Sequence, residues 1–136
     1  MTNNLYIYKR IVQSKLFIDA HFSETIDLEN IADEAYFSKF HFIRLFKSIY
    51  GKTPHQYLIS VRVEQARLLL QQGMSVTETC SGVGFESLTS FTALFKKYVR
   101  LSPSEYQRRH FEREEQIRTA PLDFIPACFA TRYGWN

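Results

Sequence analysis

The sequence predicts an all-α, homeodomain-like fold of about seven helices, arranged as two helix-turn-helix subdomains joined by a long linker helix. Three observations support this fold class. Apolar residues recur at helical spacing along most of the chain, and no stretch alternates in the way of a β-strand. Ser or Thr precedes several of these stretches at the position of a helix cap. The second half of the chain also repeats the first, with an offset of forty-nine residues.

Residues 1–52 are predicted to form the N-terminal subdomain. A first helix over about residues 6–20 has the apolar positions Ile7, Ile11, Leu16 and Ile18. Asp27 is the expected cap of a short helix that holds Leu28, Ile31 and Ala32. Ser38 is the expected cap of the next helix, which Gly51 ends. The core stripe of that helix is predicted to be Phe42, Leu45, Phe46 and Ile49.

Residues 53–73 are predicted to form the linker helix. Thr53-Pro54-His55-Gln56 combines the spacing of a capping box with proline at the first helical position. Its apolar positions are Tyr57, Leu58, Val61, Ala66, Leu69 and Leu70. At 1.5 Å per residue, such a helix measures about 28 Å.

Residues 74–111 are predicted to form the C-terminal subdomain. Ser75 opens a short helix that stops at Gly82 and Gly84, and Ser87 caps a longer one. The core stripe of the longer helix is predicted to be Phe91, Leu94, Phe95 and Tyr98. Ser102-Pro103-Ser104-Glu105 starts a last helix that ends near Phe111. Residues 112–136 form an apolar tail without a clear period, which we expect to dock on the core.

The internal repeat covers both longer helices and the helix starts that follow them. The residues Phe42, Leu45, Phe46, Lys47, Thr53, Pro54 and Tyr57 are matched by Phe91, Leu94, Phe95, Lys96, Ser102, Pro103 and Tyr106. Each copy consists of a short helix, a tight turn, a longer helix and a capped following helix, which is the helix-turn-helix arrangement. Two copies are fewer than a stacked solenoid usually needs.

Charge is segregated along the chain, although the net charge is only +3. Residues 35–62 contain no acid but include the basic residues Lys39, Arg44, Lys47, Lys52 and Arg62. A second basic cluster consists of Lys96, Lys97, Arg100, Arg108 and Arg109, opposed locally by Glu105 alone. Two basic zones are typical of a protein that binds a polyanion, and two solvated faces are the alternative.

The motifs of both units resemble the DNA-binding domain of the AraC/XylS family of bacterial regulators. The strongest matches are Val83-Gly84-Phe85-Glu86-Ser87, Phe95-Lys96-Lys97-Tyr98 and Ser102-Pro103-Ser104-Glu105-Tyr106. The first unit agrees through Leu45-Phe46-Lys47, Gly51 and Thr53-Pro54, and the linker agrees through Arg62, Ala66 and Leu69-Leu70. Tyr36 and Arg100 depart from the family, since both stand where glycine is common, and Ala93 replaces a longer polar or basic residue. At 136 residues we expect no separate sensor domain, and by that expectation the chain is most similar to the small stand-alone members.

The resemblance implies a sequence-specific transcriptional regulator, an activator by expectation, that inserts two recognition helices into successive major grooves of an asymmetric site. The expected DNA-binding residues of the first unit are Ser38, Lys39, Phe40, His41, Ile43, Arg44 and Lys47. Those of the second unit are Ser87, Leu88, Thr89, Ser90, Thr92, Ala93, Lys96 and Arg100.

Arg44 is the leading candidate for a bidentate contact to guanine, and a surface ion pair is its alternative. Phe40 and Ile43 are candidates for thymine methyl groups, and Lys47 for the DNA backbone. His41 is a candidate for a base or a phosphate, or for a plain solvated side chain. Ser38 and Ser87 are expected to act mainly as helix caps.

Double-stranded DNA is therefore the expected partner, bound by a monomer, with RNA polymerase as a further candidate. No cofactor, metal or membrane is expected, and the expected location is the cytoplasm, on the nucleoid. No set of catalytic residues can be assembled, so an enzyme is not expected; a DNA-repair methyl acceptor would need a reactive thiol at Cys80 or Cys128. The basic faces would also suit a helical protein-interaction module with an acidic partner, or an architectural protein that binds DNA without sequence preference.

Overall fold

The computed structural model describes residues 2–27 and 39–132. Its helices are α1 (Thr2–His21), α2 (Lys39–Tyr50), α3 (Pro54–Gln71), α4 (Val76–Gly82), α5 (Leu88–Val99), α6 (Pro103–Thr119) and α7 (Ala127–Arg132), with a 3₁₀ turn at Pro121–Phe124. Those two ranges contain no β-strand, and the all-α prediction is confirmed. The short helix predicted after Asp27, together with Tyr36 and the cap Ser38, lies outside the described residues.

The helix starts follow the predicted capping residues. The Thr53 hydroxyl accepts from the Gln56 backbone N–H (3.2 Å), and the Gln56 side chain accepts from the Thr53 N–H (3.0 Å), so the capping box of α3 is complete. The hydroxyls of Ser75, Ser87 and Ser102 each accept from the N–H three residues later, at 3.1, 3.3 and 3.2 Å. These caps satisfy amides that the first turn of a helix leaves without an internal partner.

The linker helix α3 contributes to two hydrophobic cores. Leu58 joins the first core, whose buried members from other helices are Ile11, Ile18, Phe42 and Phe46. The next residue, Ile59, lies in the second core, and so do Val63, Ala66 and Leu70 of the same helix. The other buried members of the second core are Cys80, Val83, Phe85, Phe91 and Phe95. Helix α3 therefore packs against α1 and α2 on one side of the fold and against α4, α5 and α6 on the other.

Two tyrosines at equivalent positions of the repeat, Tyr57 on α3 and Tyr106 on α6, each form a hydrogen bond to an earlier helix. The Tyr57 hydroxyl donates to the Asp19 carboxylate on α1, which also pairs with Lys15 at 2.7 Å. Burial, followed by the hydrogen bond to Asp19, raises the pKa of Tyr57. The Tyr106 hydroxyl of α6 accepts from the Gln71 amide of α3 at 2.6 Å. Helix α3 thus plays in the second unit the part that α1 plays in the first.

Three residues predicted to lie in the core are exposed instead. Ile49 and Tyr98, equivalent positions of the repeat, are 41% and 40% exposed. The last turns of α2 and α5 pack against the cores through the next residues, Tyr50 and Val99. Leu16 is 55% exposed. The buried stripe of α1 passes through Ser14 and Ile18, and the Ser14 hydroxyl donates to the Arg10 carbonyl (2.8 Å).

Helix α6 continues to Thr119, eight residues beyond the end predicted near Phe111. Its extension is solvent-exposed and has charge pairs at helical spacing, Arg108 with Glu112 (2.9 Å) and Arg118 with Glu115 (2.5 Å). Such pairs support a helix without an apolar stripe, which is why the hydrophobic pattern does not reveal it. The 3₁₀ turn packs against α6, with the Arg113 guanidinium 5.9 Å from the centre of the Phe124 ring. The 3₁₀ turn of the tail therefore docks on α6, whereas docking on the core was expected.

We predict that Leu70→Ala lowers the free energy of unfolding by about 2 to 5 kcal/mol, because Leu70 is fully buried in the second core. Leu68→Ala makes the same change two residues earlier on the same helix, at a side chain that is 42% exposed, and should cost less than about 0.5 kcal/mol. Urea unfolding of both variants measures the difference. Equal losses would show that α3 does not bury the face described.

Candidate nucleic-acid interface

Helices α2 and α5 expose equivalent faces, because the burial of their residues agrees along the repeat. Phe42 and Phe46 of α2, and Phe91 and Phe95 of α5, have at most 1% of their surface exposed. The position midway between each pair, Arg44 or Ala93, is exposed. A residue two positions from each of two buried neighbours lies on the opposite side of a helix with 3.6 residues per turn. Both helices therefore direct the predicted recognition face away from the core.

The exposed face of α2 combines cationic and apolar groups. Arg44, Lys47 and Lys39 are exposed there, and Phe40 has 74% of its surface exposed. Within the described residues Arg44 and Lys47 form no ion pair, so their charges are available to a ligand. A large aromatic ring near the charges of Arg44 and Lys47 fits a surface that is covered when a partner binds.

Two of the residues predicted to bind DNA from α2 are half-buried. Ile43, expected to face outward, is half-buried and packs against the first core, so only part of its side chain is accessible. Its place on the helix, one residue after the buried Phe42, keeps it at the edge of the core. His41 is also half-buried, and Ser38 lies outside the described residues. Ser48, which the sequence pattern does not single out, is exposed four residues after Arg44, on the same face.

The exposed face of α5 has a different chemistry. Leu88, Thr89, Ser90, Ala93 and Lys96 are exposed, and Thr92 is half-buried like its counterpart Ile43. The exposed Ser87 caps the helix through the N–H of Ser90. At the centre of the face, Ala93 stands where α2 has Arg44 and offers no hydrogen-bonding group. Short hydroxyls and methyl groups read base edges more tolerantly than arginine does.

The second basic zone is smaller than the sequence predicts. Lys96, Lys97 and Arg100 are exposed and form no ion pair among residues 39–132. Arg108 and Arg109 are paired with Glu105 and Glu112 on the surface of α6. The unneutralised charge of this unit therefore lies at the last turn of α5 and directly after it.

Arg100 adopts a backbone conformation that favours glycine. Its φ is +73°, and it is the only residue other than glycine with positive φ among those described. Its counterpart in the first unit is Gly51, with φ +77°. Both residues end their helices in the same way, with the N–H of Gly51 or Arg100 donating to the carbonyl of Lys47 or Lys96. Arginine thus occupies a position where the backbone alone would prefer glycine.

The two cysteines differ in exposure. Cys80 is 5% exposed, its thiol lies 3.8 Å from the Phe85 carbonyl oxygen, and burial raises its pKa. A raised pKa disfavours the thiolate that a methyl acceptor needs. Cys128 is exposed on α7. The described residues contain no group of three His, Cys, Asp or Glu able to hold a metal ion, and none of their helices has the length and apolarity to cross a bilayer.

Comparison with known proteins gives consistent results. A model of helix-turn-helix domains matches residues 31–109, more than half of the chain. The MmsAB operon regulatory protein of Pseudomonas aeruginosa is 35% identical over 94 residues, which cover 68% of this chain and 31% of that protein. The bifunctional transcriptional activator and DNA repair enzyme AdaA of Bacillus subtilis is 33% identical over 93 residues, covering 68% of this chain and 44% of that protein. The chain thus spans less than half the length of these relatives.

A solved structure has the same architecture. The DNA-binding domain of the global transcriptional factor AdpA, crystallised with a target DNA, superimposes with a TM-score of 0.72 at 33% identity. The match covers 78% of this chain and 96% of that domain. The two subdomains and the linker helix are therefore an arrangement that another protein presents to DNA.

We predict that Arg100→Gly raises the free energy of unfolding by about 1 kcal/mol, because glycine adopts the left-handed conformation without steric cost. Lys97→Gly removes the same charge from the last turn of α5 and should lower that free energy by about 1 kcal/mol. Urea unfolding at one ionic strength compares the two. A loss of stability in Arg100→Gly would mean that the arginine side chain, rather than the backbone, dominates at this position.

Proposed function

This chain belongs to the AraC-type family of helix-turn-helix transcriptional regulators, and we propose that it binds one asymmetric DNA site as a monomer. Helices α2 and α5 enter successive major grooves in this proposal. The observation that carries it is the equivalent exposure of α2 and α5, two helices that pack on the same linker helix. The 18 residues of α3 measure about 27 Å, close to the roughly 34 Å of one turn of DNA.

The first unit supplies most of the sequence specificity in this proposal. Arg44, at the centre of the exposed face, forms the bidentate contact to guanine O6 and N7. Phe40 packs against thymine methyl groups, and Lys39 and Lys47 bind the DNA backbone. His41, at the edge of the face, contacts a base or a phosphate.

The second unit serves mainly as an anchor. Lys96 and Arg100 bind phosphates, which fixes the register of the complex without reading sequence. Leu88, Thr89 and Ser90 meet the bases beneath them with shorter side chains, and Ala93 tolerates several base pairs. The Ser87 cap lies at a helix N-terminus, which attracts phosphate as well. Because the two units differ in this way, the two halves of the site differ too.

The bound chain regulates transcription, as an activator that contacts RNA polymerase. The names of similar proteins support this role, since one is an operon regulator and another a transcriptional activator. Binding to chromosomal DNA would place the protein in the bacterial cytoplasm, on the nucleoid. The chain spans about a third of the length of the operon regulator.

Selection of bound sequences from a random DNA pool tests the proposed function. We expect two unlike half-sites whose centres are about one helical turn apart, with the stricter half beneath α2. A palindromic result would contradict the monomer. Enrichment without any preferred sequence would favour an architectural DNA-binding protein.

We predict that Arg44→Ala weakens binding to the selected site by about 1 to 3 kcal/mol, because the guanine loses its bidentate partner. Discrimination among bases should relax at one position only. Arg113→Ala is the matched control, since this arginine lies on the α6 extension against Phe124. Fluorescence anisotropy with the site and its single-base variants gives both quantities. Equal weakening by the two variants would point to net charge alone.

We predict that Lys96→Ala and Arg100→Gly each weaken binding to specific and random duplexes by similar factors. Each should reduce the slope of log affinity against log salt by about 0.9, since one phosphate contact is lost. For Arg100→Gly the fold should become more stable as binding weakens, so that misfolding cannot explain the loss. Titrations at several salt concentrations provide the slopes. An unchanged slope would remove the residue concerned from the interface.

A further inference from the structure

One side chain of the linker helix contacts both units. Arg62 lies near the middle of α3, and its Nε donates to the Phe22 carbonyl (2.6 Å) while one terminal nitrogen donates to the Glu24 carbonyl (3.0 Å). Both carbonyls belong to the turn after α1, in the first unit. The same guanidinium lies 5.7 Å from the centre of the Phe85 ring, in the turn between α4 and α5 of the second unit. Arg62 therefore bridges two turns that are far apart in sequence.

The two turns also touch through their backbones. A Cβ placed on Gly84, whose φ is +95°, would lie 2.8 Å from the Ser23 carbonyl oxygen and 3.0 Å from Ser23 C and Cα. These are backbone atoms, so no side-chain rotation could relieve the contact. Beside them, Phe22 packs against both hydrophobic cores. The turn at residues 22–24, the turn at residues 84–85 and Arg62 together form a contact that we term the inter-unit joint.

We propose that the inter-unit joint sets the distance and orientation between α2 and α5, and thereby the spacing between half-sites that the protein accepts. The inference rests on the proposed function, since it concerns two helices that bind DNA together. Arg62 and Gly84 are positioning residues in it and need not touch DNA themselves.

The chemistry of Arg62 suits a fixed joint. Its planar fork holds two carbonyl oxygens in one geometry, and its face covers an aromatic ring. A lysine has one nitrogen at the end of a flexible chain and cannot reproduce both interactions. Partial burial lowers the pKa of Arg62, and the nearby Glu86 carboxylate acts in the opposite direction. The packing of both cores on α3 already restrains the two units, and contacts of this kind further limit how they roll and tilt about the helix.

Arg67 provides a matched control on the same helix. Its guanidinium lies 5.5 Å from the ring of Tyr106, and it pairs with Glu64 at 3.1 Å. Glu64 lies on α3 itself, and Tyr106 lies on α6 and packs against the second core. Neither partner belongs to the first unit. Arg67→Lys therefore removes a comparable contact between arginine and an aromatic ring without disturbing the joint.

The experiment compares the wild type with Arg62→Lys and Arg67→Lys on four duplexes: the selected site, the site with one base pair added or removed between half-sites, and a single half-site. The wild type should prefer the native spacing by about tenfold or more, since both halves then bind at once. Arg62→Lys should lose most of this preference and keep its half-site affinity within about twofold. Arg67→Lys should keep the preference.

A second measurement without DNA separates the joint from DNA recognition. Spin labels on Ser48→Cys and Lys97→Cys, in a Cys128→Ser background, report the distance between exposed positions of α2 and α5. The distance distribution should broaden with Arg62→Lys and shift with Gly84→Ala, and it should stay unchanged with Arg67→Lys.

The outcomes distinguish the two proposals. A wild type indifferent to spacing would contradict the proposed function, while the distance distributions would still decide whether the joint fixes the units. Unchanged distributions with both Arg62→Lys and Gly84→Ala would overturn the inference. Equal weakening on all four duplexes, or loss of folding in both variants, would make the joint a stability element and overturn it as well.

Discussion

The fold depends on one constraint, which is that the linker helix must fill two cores with neighbouring residues. Leu58 belongs to the first core and Ile59 to the second, although they are adjacent on α3. Successive residues of a helix point about 100° apart, so the two cores meet α3 on different sides. Neither unit can rotate about this helix without withdrawing apolar surface from its core. The angular relation between α2 and α5 follows from this packing, and the contacts of Arg62 and Gly84 restrict it further.

A duplicated scaffold can present two different chemistries because burial and exposure are controlled by separate positions. The phenylalanines at 42, 46, 91 and 95 keep the two cores alike. The exposed positions between them are free to differ, as Arg44 and Ala93 do. Arg100 is a further example, because its backbone has the left-handed conformation of its counterpart Gly51 while its side chain adds a charge. Substitutions at such positions change the chemistry of the surface without removing residues from either core.

The local features of this fold can be predicted from sequence, and the long-range ones cannot. The caps at Thr53 and Ser102 are recognisable because a capping hydroxyl and its target N–H lie three residues apart. The exposure of Ile49 is not predictable in this way, because helical spacing alone cannot tell which of two neighbouring apolar residues, Ile49 or Tyr50, meets the core. The extension of α6 escapes the hydrophobic pattern because ion pairs rather than an apolar stripe support it.

The predicted interface shows the same limit. The exposed centre at Arg44 follows from the phenylalanines that flank it, whereas the half-burial of Ile43 depends on how closely the core approaches that edge of α2. In the sequence Gly84 is recognisable as the end of a helix and as part of a family motif, but not as a contact of Ser23. Its contact with Ser23 joins turns sixty-one residues apart, and no local pattern encodes such a meeting.

The central claim, that the two units form one body around a shared helix, can be tested on the free protein by residual dipolar couplings of its backbone amides. Couplings from α2 and α5 should fit a single alignment tensor with the orientations described. If each unit required its own tensor, with clearly different magnitudes, the units would be moving independently and the claim would be contradicted.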